Sequence, residues 1–266
     1  MDVESAGLNY VWASILGVVQ GLTEFLPVSS SGHLALVEHL GAGVQETLAF
    51  DLLLHLATLL AVLIYFNNTL RRLWKSDRTV LLYVLVATVP TGVIGMLFKG
   101  YFEALRFSPT IICIGLLVTA CALSFAELAR GGGYRIRDLG LFGAFFVGFT
   151  QALALTPGIS RSGSTISAAM LCGVNKEEAF NFSFILSIPT IGGAAFLQFV
   201  SAMRHGGLKG LAAELPLGPS LLGFLLSGIT GYFSLVLLKR LVVGGKLVWF
   251  AAYCFAAGAT AIFLSV

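Results

Sequence analysis

Long apolar runs separated by short polar connections dominate the pattern of this chain. A helix needs roughly 20 apolar residues to cross a bilayer, and six runs approach or exceed that length. They cover residues 46–66, 80–98, 109–129, 181–203, 218–238 and 247–266. The pattern therefore predicts six transmembrane helices in an all-α, polytopic integral membrane protein.

Two further apolar stretches, at residues 10–26 and 139–156, are shorter and end in loops rich in Pro, Gly and Ser. A second short apolar segment follows each loop. Irregular backbone is tolerated at membrane depth only where protein or a polar cavity surrounds it. We therefore expect two re-entrant helical hairpins, each of which enters the membrane and returns on the same side.

The two hairpins carry the same residue types in the same order. The first contains Gly17, Gln20, Ser29, Ser31 and Gly32, and the second contains Gly148, Gln151, Ser160, Ser162 and Gly163. Repeated, broken helices are typical of inverted repeats that form a binding site between them. The sequence thus predicts one membrane domain over residues 1–266, made of inverted repeats at approximately 8–130 and 138–266.

The composition excludes a soluble domain, because 57% of the residues are hydrophobic, 11% are charged and the mean hydropathy is +0.92. The expected surroundings are the lipid bilayer. The net charge of +3 does not indicate a nucleic-acid partner, since basic residues of membrane proteins mostly report topology. The sequence leaves the oligomeric state open, and a homodimer is one alternative.

The basic residues fall unevenly on the two faces of this layout. If both hairpins return to their own side, one face receives Arg71, Arg72, Lys75, Arg78, Arg130, Arg135, Arg137, Lys176, Lys239, Arg240 and Lys246. The opposite face receives Lys99, Arg106, Arg204 and Lys209. Because basic loops stay in the cytoplasm, we expect the first face to be cytoplasmic and both termini to be outside. The first hairpin then enters from outside and the second from the cytoplasm.

Serine residues precede the short helix of each hairpin, namely Ser29, Ser30, Ser31, Ser160 and Ser162. If inverted packing brings the loops together, their hydroxyl groups and the free N–H groups of two helix ends converge on an anion. Arg161 adds a planar cation that suits phosphate oxygens and is costly to bury without a function. The loops therefore predict a phosphate-binding site.

Glu24 and Gln20 lie one turn apart on the first hairpin helix and therefore face the same way. Their oxygen atoms suit a hard divalent cation. A plainer alternative is that Glu24 pairs with Arg161 and only neutralises it.

His33 ends the first loop and can act as a general acid or base near neutral pH. Ser30 or a neighbouring serine is a candidate nucleophile once His33 removes its proton, which would give a phosphoseryl intermediate. Alternatively, His33 or Glu24 activates water directly, and the sequence does not choose between these routes. Asp51 and His55, four residues apart in a transmembrane run, either line the same cavity or hydrogen-bond each other, and we expect them to have a supporting role.

These motifs resemble those of a known family. The segment Gly17 to His33, with its PVSSSGH loop, and the segment PGISRSGST from Pro157 to Thr165 are similar to the two signature regions of bacterial undecaprenyl-diphosphate phosphatases, the bacitracin-resistance family. The segments Asp51 to Thr58 and Phe182 to Pro189 also resemble family segments. The likeness therefore extends over nearly the whole chain.

The resemblance implies a hydrolase of the bacterial inner membrane whose active site opens to the periplasm. Its substrate would be undecaprenyl diphosphate, a polyprenyl diphosphate lipid, and its product undecaprenyl phosphate, the lipid carrier for peptidoglycan precursors. The family also needs a divalent cation such as Mg²⁺ or Ca²⁺.

Carried onto this chain, the resemblance assigns catalysis to Glu24, Ser30, His33 and Arg161 and metal binding to Gln20 and Glu24. Substrate binding falls on Arg161 with Ser29, Ser31, Ser160, Ser162, Gly163 and Thr165. Gln20 departs from the pattern, because many members have Glu there. One fewer charge makes metal binding depend more on Glu24 and on the diphosphate itself.

Two other functions stay as alternatives. Secondary transporters are also built from inverted repeats with broken helices, so a lipid-carrier flippase or a transporter is the opposing hypothesis. Gly and Ser also allow membrane helices to pack closely. Packing alone, however, does not explain a Glu, a His and an Arg at the same membrane depth.

Overall fold

The computed structural model describes residues 8–34, 47–105, 108–205, 207 and 215–264. Its named helices are α1 (Tyr10–Phe25), α2 (Leu48–Ser76), α3 (Arg78–Leu97), α4 (Lys99–Leu105), α5 (Pro109–Ala129), α6 (Gly140–Leu153), α7 (Arg161–Leu171), α8 (Lys176–His205), α9 (Leu217–Val243) and α10 (Leu247–Leu264). Residues 30–34 are also helical. Apart from one isolated bridge between Tyr134 and Val174, regular structure in the described ranges is helical, and the all-α prediction is confirmed.

Five of these helices, α2, α3, α5, α8 and α9, are long and apolar enough to cross a membrane. The sixth predicted span corresponds to α10, which is apolar but shorter in the described part of the chain. The prediction of a multi-pass membrane protein is therefore confirmed.

Polar residues fix the starts of several helices. Asn9, Thr47, Ser160 and Asn175 each accept a hydrogen bond from a backbone N–H group in the first turn of the helix that follows. Such caps satisfy donors that have no partner within the helix. The sequence therefore marks where α1, α2, α7 and α8 begin.

The predicted ends of two spans were wrong. Helix α2 continues past residue 66 to Ser76, so Arg71, Arg72 and Lys75 lie in its last turns rather than in a loop. Lys239 and Arg240 likewise lie inside α9. A hydropathy pattern detects the apolar centre of a helix, whereas polar residues with good helix propensity extend it into the interface. Arg106 and Lys209 lie outside the described residues.

The first hairpin helix packs along a helix of the second half. Gly17 of α1 lies against Gly223 of α9, and Gly21 lies against Ser227, so the two helices run in the same direction. A side chain at either α1 glycine would collide with the α9 backbone. Small residues at such positions allow two membrane helices to approach closely.

The second hairpin helix packs in the corresponding way on a helix of the first half. Gly148 of α6 lies against Ala87 of α3, and the Gln151 amide donates to Thr91 Oγ1 at 2.9 Å. Helices α6 and α3 therefore also run in the same direction. The hairpin helix of each half therefore packs on a transmembrane helix of the other half.

The hairpins enter from opposite ends of α2. Tyr10, at the start of α1, packs on Gly218 in the first turn of α9. Helix α9 runs parallel to α2, because Gly223 lies against Phe50 and Gly231, two turns later, lies against Thr58. Helix α6 instead begins near the other end of α2, where Arg137 pairs with Asp77 at 2.6 Å. This opposed entry is the geometry that an inverted repeat requires.

Helices α5 and α10 pack against each other with opposite directions. Gly258 of α10 lies against the Cys113 carbonyl near the start of α5, and the Leu247 N–H donates to Glu127 near its end at 3.2 Å. Each of the two helices also contacts one hairpin loop. Thr119 of α5 contacts the loop before α7, and Cys254 of α10 contacts the loop after α1, so this helix pair connects the two hairpin loops.

Candidate active site

The first hairpin loop reverses the chain within a few residues. Helix α1 ends at Phe25, and Ser29 adopts a left-handed backbone with φ of 68° before residues 30–34 become helical. A serine in this region is uncommon and costs about 1 kcal/mol or more. Ser30 and Ser31 therefore lie inside the second helix of the hairpin, and the prediction that they precede it was wrong.

The second loop has a similar local geometry. Ser160 caps α7 by accepting the Gly163 N–H at 3.1 Å, and Arg161 is the first helical residue. Ser162 lies in the first turn rather than before the helix, because one residue suffices as the cap. The Oγ atoms of Ser160 and Ser162 are 3.2 Å apart, as are those of Ser29 and Ser31 in the first loop.

Glu24 joins the two hairpins. Arg161 Nη2 lies 2.6 Å from Glu24 Oε1, and Ser30 Oγ donates to Glu24 Oε2 at 3.0 Å. The Glu24 side chain is only 7% exposed, so its charge needs these partners. Three residues predicted for the site are thus brought together, and the alternative in which Glu24 pairs with Arg161 describes an observed contact.

Gln20 lies beside Glu24 on α1, as the spacing predicts. Its Nε2 donates to Glu24 Oε2 at 3.2 Å, while its Oε1 is buried without a hydrogen-bond partner in the structure. Buried polar atoms normally have a partner. This amide oxygen is therefore available to a ligand of the site.

His33 is held by two contacts of its own. Its Nδ1 lies 2.8 Å from the Ser29 carbonyl oxygen, which can only accept, so Nδ1 carries a hydrogen. In the neutral ring Nε2 then accepts the Tyr253 hydroxyl at 2.6 Å. Because Ser30 bonds Glu24, the expected pairing of Ser30 with His33 is replaced by a pairing of Ser30 with Glu24.

His55 and Tyr253 are two further neighbours of the predicted site residues. His55 Nε2 lies 3.9 Å from Glu24 Oε2, and its Nδ1 contacts Asp51 through the carbonyl oxygen at 2.9 Å and through Oδ1 at 3.1 Å. Asp51 and His55 therefore contact each other, as one alternative predicted, and His55 also lies beside Glu24, as the other alternative predicted. Tyr253 gave no signal, because an aromatic residue in an apolar helix is ordinary.

The remaining predicted binding residues lie inside the protein around α7. Ser160, Ser162 and Thr165 are buried. The Thr165 hydroxyl contacts Ser183 Oγ of α8 at 2.5 Å and the Arg161 carbonyl oxygen at 2.9 Å. The contact with Ser183 joins α7 to α8, and Arg161, whose side chain is 18% exposed, is the first residue of α7.

Comparison with known proteins places this arrangement in a family. The family model described as bacitracin resistance protein BacA matches residues 13–260. The chain belongs to this family.

Relatives within the family resemble the chain over almost its full length. It is 40% identical to the undecaprenyl-diphosphatase of Carboxydothermus hydrogenoformans, with 97% of this chain and 98% of the relative covered. It is 37% identical to the undecaprenyl-diphosphatase of Geotalea daltonii, with 94% and 96% covered. For the undecaprenyl-diphosphatase of Methanosphaera stadtmanae, the identity is 38%, with 97% and 99% covered.

Proposed function

We propose that this protein is a membrane hydrolase that removes the terminal phosphate of undecaprenyl diphosphate and releases undecaprenyl phosphate. This reaction recycles the lipid carrier for peptidoglycan and other cell-envelope polymers, and it would confer resistance to bacitracin. Full-length similarity to undecaprenyl-diphosphatases supports the assignment.

One observation carries the chemistry. Glu24 holds Ser30 from its own hairpin and Arg161 from the opposed hairpin at hydrogen-bond distance. A nucleophile, a base and a phosphate-binding cation therefore meet between the two halves. This combination suits transfer of a phosphoryl group, in which charge neutralisation and positioning dominate catalysis.

In the covalent route, Ser30 Oγ attacks the terminal phosphorus while Glu24 Oε2 takes its proton. The bond from phosphorus to the bridging oxygen breaks, and undecaprenyl phosphate leaves with the electron pair. Water then hydrolyses the phosphoserine. The hydrogen bond from Ser30 to Glu24 supports this assignment of the base.

A second route uses water as the nucleophile, with Glu24 or His33 as the base. His33 would have to exchange the Tyr253 hydroxyl for the water, because its Nε2 already accepts that hydroxyl. The two routes therefore make different demands on Ser30 and on His33.

The site fits a divalent cation that is shared with the substrate. Gln20 Oε1 is buried without a hydrogen-bond partner, and Glu24 supplies a carboxylate beside it. The described residues contain no group of three His, Cys, Asp or Glu side chains that could hold a metal alone. Mg²⁺ is commonly bound by one or two carboxylates together with phosphate oxygens. When bound by Glu24 and Gln20, Mg²⁺ or Ca²⁺ would neutralise charge on the diphosphate.

The location of the protein is also part of the proposal. We place it in the bacterial inner membrane, with the basic end of the bundle in the cytoplasm and the active site open to the periplasm. The prenyl tail stays in the bilayer, and only the diphosphate headgroup enters between the hairpins.

The second candidate is a lipid-carrier flippase or a secondary transporter. The opposed entry of the two hairpins favours it, since transporters use such repeats to expose one site to either side in turn. Phosphate release by detergent-solubilised protein distinguishes the two candidates, because transport needs a membrane between two compartments and hydrolysis does not.

The deciding experiment measures phosphate release from farnesyl and undecaprenyl diphosphates by detergent-solubilised protein with Mg²⁺ or Ca²⁺. We expect wild-type turnover and no turnover for Arg161→Ala or Glu24→Ala. Tyr65→Phe, on α2 away from Glu24, is the control that should keep its activity. An inactive wild-type protein would overturn the hydrolase and make transport the leading function.

A further inference from the structure

The loop that carries Arg161 rests on a helix that belongs to neither hairpin. Helix α5 presents Gly115 and Thr119, one turn apart, to this loop. A side chain at Gly115 would collide with the backbone of residues 157–159. The loop backbone therefore lies directly on α5, without side chains between them.

Thr119 bonds the loop on both sides of its turn. Its Oγ1 accepts the Ser160 N–H at 2.9 Å and lies within donor distance of the Gly158 carbonyl oxygen at 3.2 Å. Its single hydroxyl hydrogen is shared between Gly158 and the carbonyl oxygen of Gly115 at 3.0 Å. Thr119 is 1% exposed, so water cannot replace it without rearrangement.

The backbone nitrogen that Thr119 holds lies immediately before Arg161. Ser160 is the cap of α7 and binds the Gly163 N–H with its own side chain. Arg161 follows and reaches Glu24 at 2.6 Å. The hydroxyl of Thr119 thus fixes both the start of α7 and the origin of the Arg161 side chain.

We propose that Thr119 is a positioning residue for the phosphate-binding site. Its hydroxyl group holds the N-terminus of α7, and with it Arg161, at the level of Glu24. The kinetic part of this inference rests on the proposed phosphatase function. The structural part does not depend on the reaction: it states that Thr119 keeps Arg161 in place for its ion pair with Glu24.

The kinetic test compares Thr119→Val, which keeps the shape of the side chain, with Thr119→Ser, which keeps the hydroxyl. Small misplacements of a reacting or binding group have large effects on rate. We expect Thr119→Val to lower kcat/KM for farnesyl diphosphate by about tenfold or more. Thr119→Ser should recover activity to within about threefold of wild type.

Thr88→Val is the control, because within the described residues Thr88 Oγ1 donates to the Val84 carbonyl of its own helix at 2.7 Å and to no hairpin loop. We expect this variant to retain wild-type kcat/KM. Equal losses in Thr88→Val and Thr119→Val would overturn the proposal, as would a Thr119→Ser variant no more active than Thr119→Val.

A double-mutant cycle separates positioning of Arg161 from a general loss of structure. In an Arg161→Lys background the planar contact is already gone, so Thr119→Val should cost less than about threefold in kcat/KM. An undiminished loss in that background would contradict an action through Arg161.

Thermal unfolding tests the same link without any reaction. Arg161→Gln leaves the buried Glu24 carboxylate without its cation and should lower the apparent Tm. If Thr119 holds Arg161 in place, this drop should be smaller in the Thr119→Val background than in the wild type. Additive drops would overturn the proposal. A wild-type protein that releases no phosphate, combined with non-additive drops, would refute the phosphatase and still support the positioning by Thr119.

Discussion

At the scale of single residues, the site depends on one buried carboxylate. Glu24 accepts contacts from Arg161, Ser30 and Gln20 and has His55 at a longer distance. Breaking a buried ion pair by removing one partner is strongly destabilising. Substitution of Arg161 will therefore reduce stability as well as activity, and the two effects must be measured together.

Substitution of Ser30 distinguishes the two routes of hydrolysis. If Ser30 is the nucleophile, Ser30→Ala should lower kcat by about a thousandfold or more, since the attacking hydroxyl group is lost. Phosphate release by purified protein measures this effect. Turnover of Ser30→Ala within about tenfold of wild type would instead indicate attack by water.

If the proposed cation site exists, Gln20 should set how strongly it holds the cation without the substrate. Gln20→Glu adds a second carboxylate beside Glu24, so the Mg²⁺ concentration for half-maximal activity should fall on the order of tenfold. Gln20→Leu removes the unpartnered oxygen and should raise that concentration. Titration of activity with Mg²⁺ tests both variants, and an identical midpoint in all three proteins would argue against Gln20 as a ligand.

The sequence identified the residues whose chemistry is unusual for a membrane interior. Glu24, Ser30 and Arg161 stood out because polar groups at that depth need partners, and the structure brings them together. It did not identify Tyr253, and it left open whether His55 lies beside Glu24. These contacts depend on how distant helices are rotated against each other, and periodicity along one helix carries no such information.

At the scale of elements, glycines set how closely the hairpin helices approach their partners. Gly17 and Gly21 bring α1 onto α9, and Gly148 brings α6 onto α3. At Gly17 and Gly148 these contacts are with backbone atoms, and at Gly21 they include the Ser227 backbone, so moving a side chain cannot make room for an added methyl group. The helices must separate instead, and the loops at their ends would move with them.

Gly148→Ala tests this packing. The added Cβ would collide with the Ala87 backbone, and overpacking of this kind costs about 1–3 kcal/mol. We expect a lower apparent Tm in detergent and reduced phosphate release. Gly92→Ala on α3 is the control, because a Cβ there meets no atom within 4 Å; it should keep or slightly raise the Tm. Equal Tm values for the two variants would exclude close packing as the role of Gly148.

The sequence predicted the breaks between the short helices of each hairpin, but it did not show which serine in each loop comes last before the helix. Proline, glycine and serine mark a break, but only one serine per helix serves as its cap. In the second loop Ser160 takes that position and Ser162 falls inside α7. The choice depends on backbone dihedral angles, such as the left-handed Ser29, which residue types alone do not specify.

At the scale of the whole molecule, one end of the bundle carries most of the basic residues and is connected by ion pairs. These pairs are Arg137 with Asp77, Lys176 with Glu127, and Lys239 with Glu177. Exposed Trp74 and Trp249 lie near the same end, as is common at a membrane interface. This end is therefore the one that we expect in the cytoplasm.

Cysteine labelling of intact bacteria tests the orientation. In a background without the four native cysteines, Gly100→Cys should react with a membrane-impermeant maleimide from outside. Ser76→Cys, at the basic end, should react only after the membrane is opened. Both positions are exposed in the structure, so other parts of the protein do not block the reagent. The reverse pattern would invert the topology.

The interface between α5 and α10, here called the seam, joins a helix of the first half to a helix of the second half. Thr119 of α5 holds one loop, and Cys254 of α10 donates to the Pro27 carbonyl oxygen of the other at 3.4 Å. A carrier that rocks one half against the other must shear this seam in every cycle, whereas a hydrolase with a fixed site need not. A chemical crosslink between α5 and α10 would therefore leave a hydrolase turning over and arrest a carrier.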